Sequence, residues 1–211
     1  MDVRIAVLAS GAGSNLQALL DDPRVGPAIS LVLSDKPAAR ALERAKLRGV
    51  PTVVLEPAGY GSRRDFDLAL VQALQERAID VVLLAGFMRI LGPDVIRAFP
   101  DRILNVHPAL LPAFPGGHAV RDALAWGAKV TGVTVHLVDE EVDHGPVVLQ
   151  EAVPIVDDDE ERLTGRIHAV EHRLYPEAAF LLGEGRLKVE GRRVHVLAGG
   201  DGISERGEDR T

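Results

Sequence analysis

The chain has no cysteine. Disulfides and thiolate nucleophiles are thereby excluded, and a zinc site would have to be built from His, Asp and Glu alone. Positive charge is also scarce: 24 Lys and Arg face 31 Asp and Glu, a formal net of −7. That sign repels phosphate backbones, so bulk binding to nucleic acid is not expected, although a local basic pocket stays compatible with it. No apolar run is long enough to span a bilayer. Met1-Asp2-Val3-Arg4 leads only into a short apolar run before glycines, so no signal peptide is expected. The expected setting is the cytoplasm, without membrane or nucleic-acid partners. What is present is an ordinary globular balance of 46% hydrophobic and 26% charged residues in 211, enough for one domain with a sizeable core.

Val3 to Ala9 is a nearly continuous apolar run ended by Ser10-Gly11, the pattern of a strand buried on both faces. Ile29 to Leu33, Thr52 to Leu55, Val81 to Ala85 and Ile103 to Val106 read as further strands. Between them lie helices expected from Ser14, where Ser14 and Gln17 have capping-box spacing, over Ala38 to Lys46, and over Ser62 to Arg77. Strands alternating with helices predict a single-domain α/β fold with a doubly wound, mostly parallel sheet. After His107 the prolines at 108, 112 and 115 and the glycines at 116 and 117 mark a loop. A short helix over Val120 to Trp126 follows, then β-rich stretches at Val130 to Val138 and Val147 to Val153 around the acidic loop Asp139 to Gly145. A long helix is expected after Asp157-Asp158-Asp159, whose charge suits a helix N-terminus. A hairpin over Arg186 to Leu197, turning at Glu190-Gly191, closes the domain, and 198–211 is expected to be a flexible tail.

Three clusters carry chemistry. Gly11-Ala12-Gly13-Ser14-Asn15 sits between the first strand and first helix, where backbone N–H groups at a sheet's carboxyl edge suit a phosphate. Asp35 stands where a dinucleotide's ribose acid would, but Leu16 replaces the third glycine that fingerprint needs. A plain tight turn capping a helix stays open as the other reading. Asn105 and His107 are two apart at a strand end, so their side chains share a face. An amide beside an imidazole suits oxyanion stabilisation and proton transfer, and Asp143, in the turn Asp143-His144-Gly145-Pro146, is expected to raise the His107 pKa if it lies near. Each of the three also has an ordinary structural reading. The third cluster, His168-Ala169-Val170-Glu171-His172, matches an inverted zinc-protease pattern. On the apolar stripe of Leu163, Ile167, Val170 and Leu174, Glu171 falls on the flank and is expected to reach a cleft, and His172 is expected to face solvent.

Read in order, these stretches resemble the glycinamide ribonucleotide formyltransferases. The resemblance is carried by Ser10 to Ala18, Leu84 to Leu91, Asn105-Val106-His107-Pro108-Ala109-Leu110-Leu111-Pro112, Phe114-Pro115-Gly116, His118, Val135-His136, Asp143-x-Gly145-Pro146 and Glu171-His172-x-x-Tyr175-Pro176. It implies a formyltransferase-type fold over 1–197, with a phosphate-binding half to about 100 and a folate-binding, catalytic half beyond. It implies formyl transfer from 10-formyltetrahydrofolate, as co-substrate, to the amine of glycinamide ribonucleotide without a metal, with Asn105, His107 and Asp143 catalytic. Gly13, Ser14 and Asn15 would hold the ribonucleotide phosphate, with His168 and Glu171 nearer its sugar and amine. Arg63, Met88, Arg89, Ile90, Leu91, Asn105, Val138, Asp139, Glu140 and Val142 would face the folate. The chain departs from the family pattern at Ala113, often a lysine, at Gly117-His118-Ala119-Val120, and at His168, often an amide. A formyltetrahydrofolate hydrolase would use the same three residues with water as nucleophile. A tRNA formyltransferase would need a basic extension, and a non-catalytic nucleotide-binding module would leave the three residues idle.

Overall fold

The computed structural model describes residues 1–156 and 159–198. Asp157, Asp158 and all but one residue of the expected tail lie outside the described residues. The elements in chain order are β1 (Ile5–Leu8), α1 (Ser14–Asp21), β2 (Ile29–Ser34), α2 (Arg40–Leu47), β3 (Thr52–Val54), α3 (Arg63–Gln75), β4 (Val81–Leu84) and α4 (Pro93–Ala98). They continue with β5 (Ile103–His107), α5 (Ala119–Trp126), β6 (Val130–Leu137), β7 (Val147–Pro154), α6 (Glu160–Gly183), β8 (Leu187–Glu190) and β9 (Arg193–Val196).

The main sheet has the order β3-β2-β1-β4-β5-β6-β7. The first five of these strands run parallel, and β6 and β7 are antiparallel. The chain winds outward from β1 to β3 and then crosses to β4 on the other side of β1. The carboxyl ends of β1 and β4 therefore diverge into a crevice, the usual ligand position in such sheets. Ile5 and Val7 pack with α1, α2 and α6 on one face, and Ala6 and Leu8 pack with α3 and α4 on the other. Two buried faces explain why β1 reads as an unbroken apolar run rather than an alternating one. Leu8, Leu84, Asn105 and His136 form one row across four neighbouring strands. The row carries the pleat from the glycine loop to the polar residues of β5 and β6.

Several local expectations change. Gly13, not Ser14, precedes α1, with φ 73° and no side-chain cap. A Cβ on Gly13 would lie 2.9 Å from both Cα and Cβ of Ala41 in α2. Left-handed backbone and close helix approach both require glycine there. Gln17 turns instead to Asp21, 3.0 Å away, and accepts from Arg44 at 3.0 Å. Ser62 does cap α3, accepting from the Asp65 N–H at 3.1 Å, and Asp159 caps α6 through the Arg162 N–H at 2.8 Å. The six-residue α4, with Pro93 in its first turn, has no counterpart in the sequence reading because it is too short to show a period.

Helix α6 runs 24 residues and continues through Pro176. Its fully buried Tyr175 directs the hydroxyl at the Leu84 carbonyl of β4 (3.0 Å) and the Leu104 carbonyl of β5 (3.1 Å). Tyr175→Phe is expected to destabilise the fold by about 1–3 kcal/mol, since two buried carbonyls lose that partner with almost no change in volume. A lowered urea midpoint at unchanged slope is the expected reading, and an unchanged midpoint would refute the pinning role.

Candidate active site

Period-two geometry sends Asn105 and His107 to the same side of β5, at its carboxyl end. The antiparallel return of β6 sets His136 opposite Asn105. The loop after β6 then brings in Asp143, whose backbone is left-handed at φ 53°. Its carboxylate accepts from the Gly116 N–H at 2.7 Å and from Asn105 Nδ2 at 3.4 Å. Oδ2 lies 3.3 Å from His107 Nδ1, and Oδ1 lies 3.7 Å from His136 Nε2. The proline-rich loop after β5 is fixed by Thr134, which accepts from the Leu111 N–H at 3.1 Å and donates to the Ala109 carbonyl at 2.7 Å.

His107 is 3% exposed. Its Nε2 is 2.8 Å from the Phe114 carbonyl and so carries a proton. Both ring nitrogens face acceptors, which would suit an imidazolium. Burial nevertheless pushes the His107 pKa below its usual value, outweighing the pull of Asp143 and of the Phe114 carbonyl. Asp143 pulls the pKa upward as expected, but the net shift is downward, because spacing in a sequence does not show how completely a ring is desolvated. The Nε2 contact is the shorter of the two, and Nδ1 lies farther from its acceptor, 3.3 Å from Asp143 Oδ2. Burial alone would raise the Asp143 carboxyl, but His136, the Gly116 N–H and His107 together hold it below the usual carboxylate range.

His136, which the sequence reading left without a role, is buried among these groups. Its Nδ1 is 2.8 Å from the Leu137 carbonyl, and its Nε2 lies 3.2 Å from Asn105 Nδ2 and 3.7 Å from Asp143 Oδ1. Asn105 Nδ2 thus faces both His136 and Asp143 before any ligand arrives. Finding His136 required the β5–β6 register, which no spacing reveals.

Asn105, His107 and His136 form the floor of a cleft of about 430 Å³. One wall is Gly86 to Leu91, including Met88, Arg89, Ile90 and Leu91. The other includes Val138, Asp139, Glu141, Val142 and Asp143. Glu140 is exposed and off this wall. Arg63 stands behind the first wall, its Nη2 donating to the Ile90 carbonyl at 2.7 Å. Ser10 ties the glycine loop to that wall by accepting from the Met88 N–H at 2.9 Å. β1 and β5 flank β4, so the loop and Asn105 are about 10 Å apart, two strand spacings.

On the glycine-loop side, Asn15 Nδ2 donates to Glu171 Oε2 at 2.9 Å, while Asn15 Oδ1 is buried without a partner among the described residues. Glu171 is 4% exposed, and burial pushes its pKa up against the opposing influence of Asn15 and His168. His168 is half-buried and stacks on His172, with ring centroids 5.9 Å apart. His172 does not face solvent as expected. It is half-buried with Nε2 enclosed, because α6 lies against α1 on that flank. Among the described residues no three His, Asp or Glu side chains converge in the manner of metal ligands.

Comparisons with known proteins agree in kind. Residues 3–179 match the family model described as formyl transferase. The phosphoribosylglycinamide formyltransferase of Mycobacterium tuberculosis is 48% identical over 202 residues, covering 92% of this chain and 94% of the relative. The trifunctional purine biosynthetic protein adenosine-3 of Drosophila melanogaster is 45% identical over 188 residues, 86% of this chain, which spans only 14% of that longer protein. The crystal structure of glycinamide ribonucleotide transformylase 1 from Symbiobacterium toebii superposes with a TM-score of 0.90 at 52% identity, covering 93% of this chain and 94% of the other.

The titration of His107 has a definite sign. Its folded pKa lies below its usual value, so the unfolded chain takes up the proton first and stability falls as pH drops through the usual histidine range. An NMR titration should place the His107 midpoint below that of an exposed histidine. Asp143→Asn should move it lower still, since the carboxylate paired with the ring is lost. A midpoint that stays put in the variant would mean that Asp143 does not act on the ring.

Proposed function

The chain belongs to the formyl transferase family, and from that premise we propose that it is a phosphoribosylglycinamide formyltransferase of purine synthesis. It would transfer the formyl group of 10-formyltetrahydrofolate to the primary amine of glycinamide ribonucleotide. The observation that carries the reading is the meeting of Asn105, His107 and Asp143 on the floor of a cleft beside the glycine loop. The near full-length likeness to proteins named for this reaction supports it.

In this reading Ser14, Asn15 and the N–H groups of the Gly13 loop hold the phosphate. Glu171, fixed by Asn15, and His168 receive the sugar and amine end. The folate ring lies between the walls at 88–91 and 138–143, with Arg63 bracing the first through Ile90. Glu140 would meet only the folate's outer end. The ribonucleotide amine attacks the formyl carbon, forming a C–N bond and moving the carbonyl electron pair onto oxygen. That oxygen takes the place of the Phe114 carbonyl at His107 Nε2, giving the ring a negative neighbour on each side and favouring a second proton, taken from solvent as the oxyanion forms and returned as it collapses. The longer Asn105 contact, to Asp143, yields so that one N–H turns to the same oxygen. On collapse the bond to the folate nitrogen breaks, and water relays a proton from the amine to that nitrogen. The hydrolase alternative gives the glycine loop and the Asn15–Glu171 pair nothing to bind.

Purified protein should transform 10-formyltetrahydrofolate only when glycinamide ribonucleotide is present. Equal turnover without the ribonucleotide would establish a hydrolase instead. Asn105→Ala, His107→Asn and Asp143→Asn should each lower turnover by about a hundredfold or more, and the His107/Asp143 double variant should lose less than the product of the single losses.

The triad supplies the donors the reaction needs, so transfer should survive treatment with a chelator. Activity lost on chelation and restored by zinc would contradict this. Asn15→Ala should raise the KM for the ribonucleotide much more than that for the folate. Asn15 is the suitable site for this test because a side chain at Gly13 would strike α2.

A further inference from the structure

The family match ends at residue 179, and the β8–β9 hairpin lies beyond it. Leu187, Val189 and Val194 pack this hairpin onto the main core. Its base is closed by the Leu197 N–H to the Arg186 carbonyl at 2.8 Å and by Arg186 Nε to the Leu197 carbonyl at 2.9 Å. Glu190 pairs with Arg193, so the turn is Gly191-Arg192, one residue later than the sequence suggested. Gly191 takes the left-handed φ of 62° that a two-residue turn opening on glycine requires. This geometry aims Arg192 back across the molecule at the 139–145 loop.

There Arg192 Nη2 donates to the His144 carbonyl at 2.6 Å, and Nη1 lies 3.1 Å from Nε2 of the same ring. His144 Nδ1 donates to Asp139 Oδ2 at 2.9 Å, which leaves Nε2 to accept from Arg192. Asp139 Oδ1 in turn accepts from the Glu141 N–H at 3.0 Å. One chain of contacts thus runs from the hairpin tip to both ends of a loop that holds Asp139, Glu140, Glu141 and Asp143. Their like charges push the loop apart. Asp143 itself sits at φ 53°, a conformation a non-glycine residue keeps only when its surroundings hold it there.

We propose that Arg192 is a positioning residue: through His144 and Asp139 it holds the wall of the folate cleft and sets Asp143 against His107. The hairpin is on this view a part of the active site that lies outside the matched family region. The contacts are exposed, so they govern how often the loop is closed rather than whether the chain folds.

The functional half of this proposal rests on the folate reading of the cleft. Arg192→Ala should raise the KM for 10-formyltetrahydrofolate by about three- to tenfold, lower kcat less, and leave the ribonucleotide KM and the urea midpoint unchanged. His144→Ala should act alike, and the double variant should add little to either change. Arg192→Lys, which keeps a donor for the His144 carbonyl, should recover part of the loss. Amide hydrogen exchange over 139–144 should quicken in Arg192→Ala, and this readout needs no substrate. A wild-type folate KM, additive losses in the double variant, or unchanged exchange would overturn the proposal. Faster exchange in a protein that transfers no formyl group would instead sink the folate reading and leave the strut standing.

Discussion

The carboxylate of Asp143 is the point on which the site depends. It joins the β6–β7 loop to Asn105 and His107 on β5 and to Gly116 in the loop beyond. A half-buried charge is tolerated only while such partners surround it, so none of these segments can move far without exposing the cost to the others. Phe114 and Asp143 both hold left-handed backbone on either side of this junction. Two unfavourable conformations are kept in place by one ionised group.

The same junction sets burial against charge. His107 is enclosed so well that its proton affinity falls although a carboxylate lies beside it. In the proposed reaction, a negative oxygen replacing the neutral carbonyl at Nε2 would raise that affinity again. Across the sheet, Glu171 is likewise buried with its affinity shifted up and leans on Asn15. An acid and a base are thus both displaced from their solution behaviour by burial, a pattern that clusters at functional sites.

How much of this the sequence disclosed follows from what each element needs. β1, β2, β4 and β5 were legible because two buried faces leave unbroken apolar runs. α3 was legible from Ser62, whose cap is a local bond. The cap at Ser14 was misread because the real constraint, Ala41 against Gly13, is tertiary. α4 was missed for its brevity, and the hairpin turn slipped by one residue because Gly191 fits either register. In the site, period two alone paired Asn105 with His107. The convergence of Asp143 came from family resemblance, since the 35 residues between it and His107 carry no distance information. His136 and Arg192 depend on strand pairing and on a hairpin aimed from outside the matched region. The sign of the His107 shift depends on desolvation, which only packing determines.

The Tyr175 hydroxyl has a consequence for the growing polypeptide. It reaches carbonyls 91 and 71 residues earlier in the chain, and its helix covers the part of that sheet face which α1 and α2 leave open. During synthesis β1 to β5 emerge well before α6. The part of their apolar face that α1 and α2 do not cover must wait, unable to reach its final arrangement, until the last long helix has left the ribosome. The interval before that helix docks is when the nascent protein most needs a chaperone, and a ribosome stalled ahead of it would release a sheet with one sticky side.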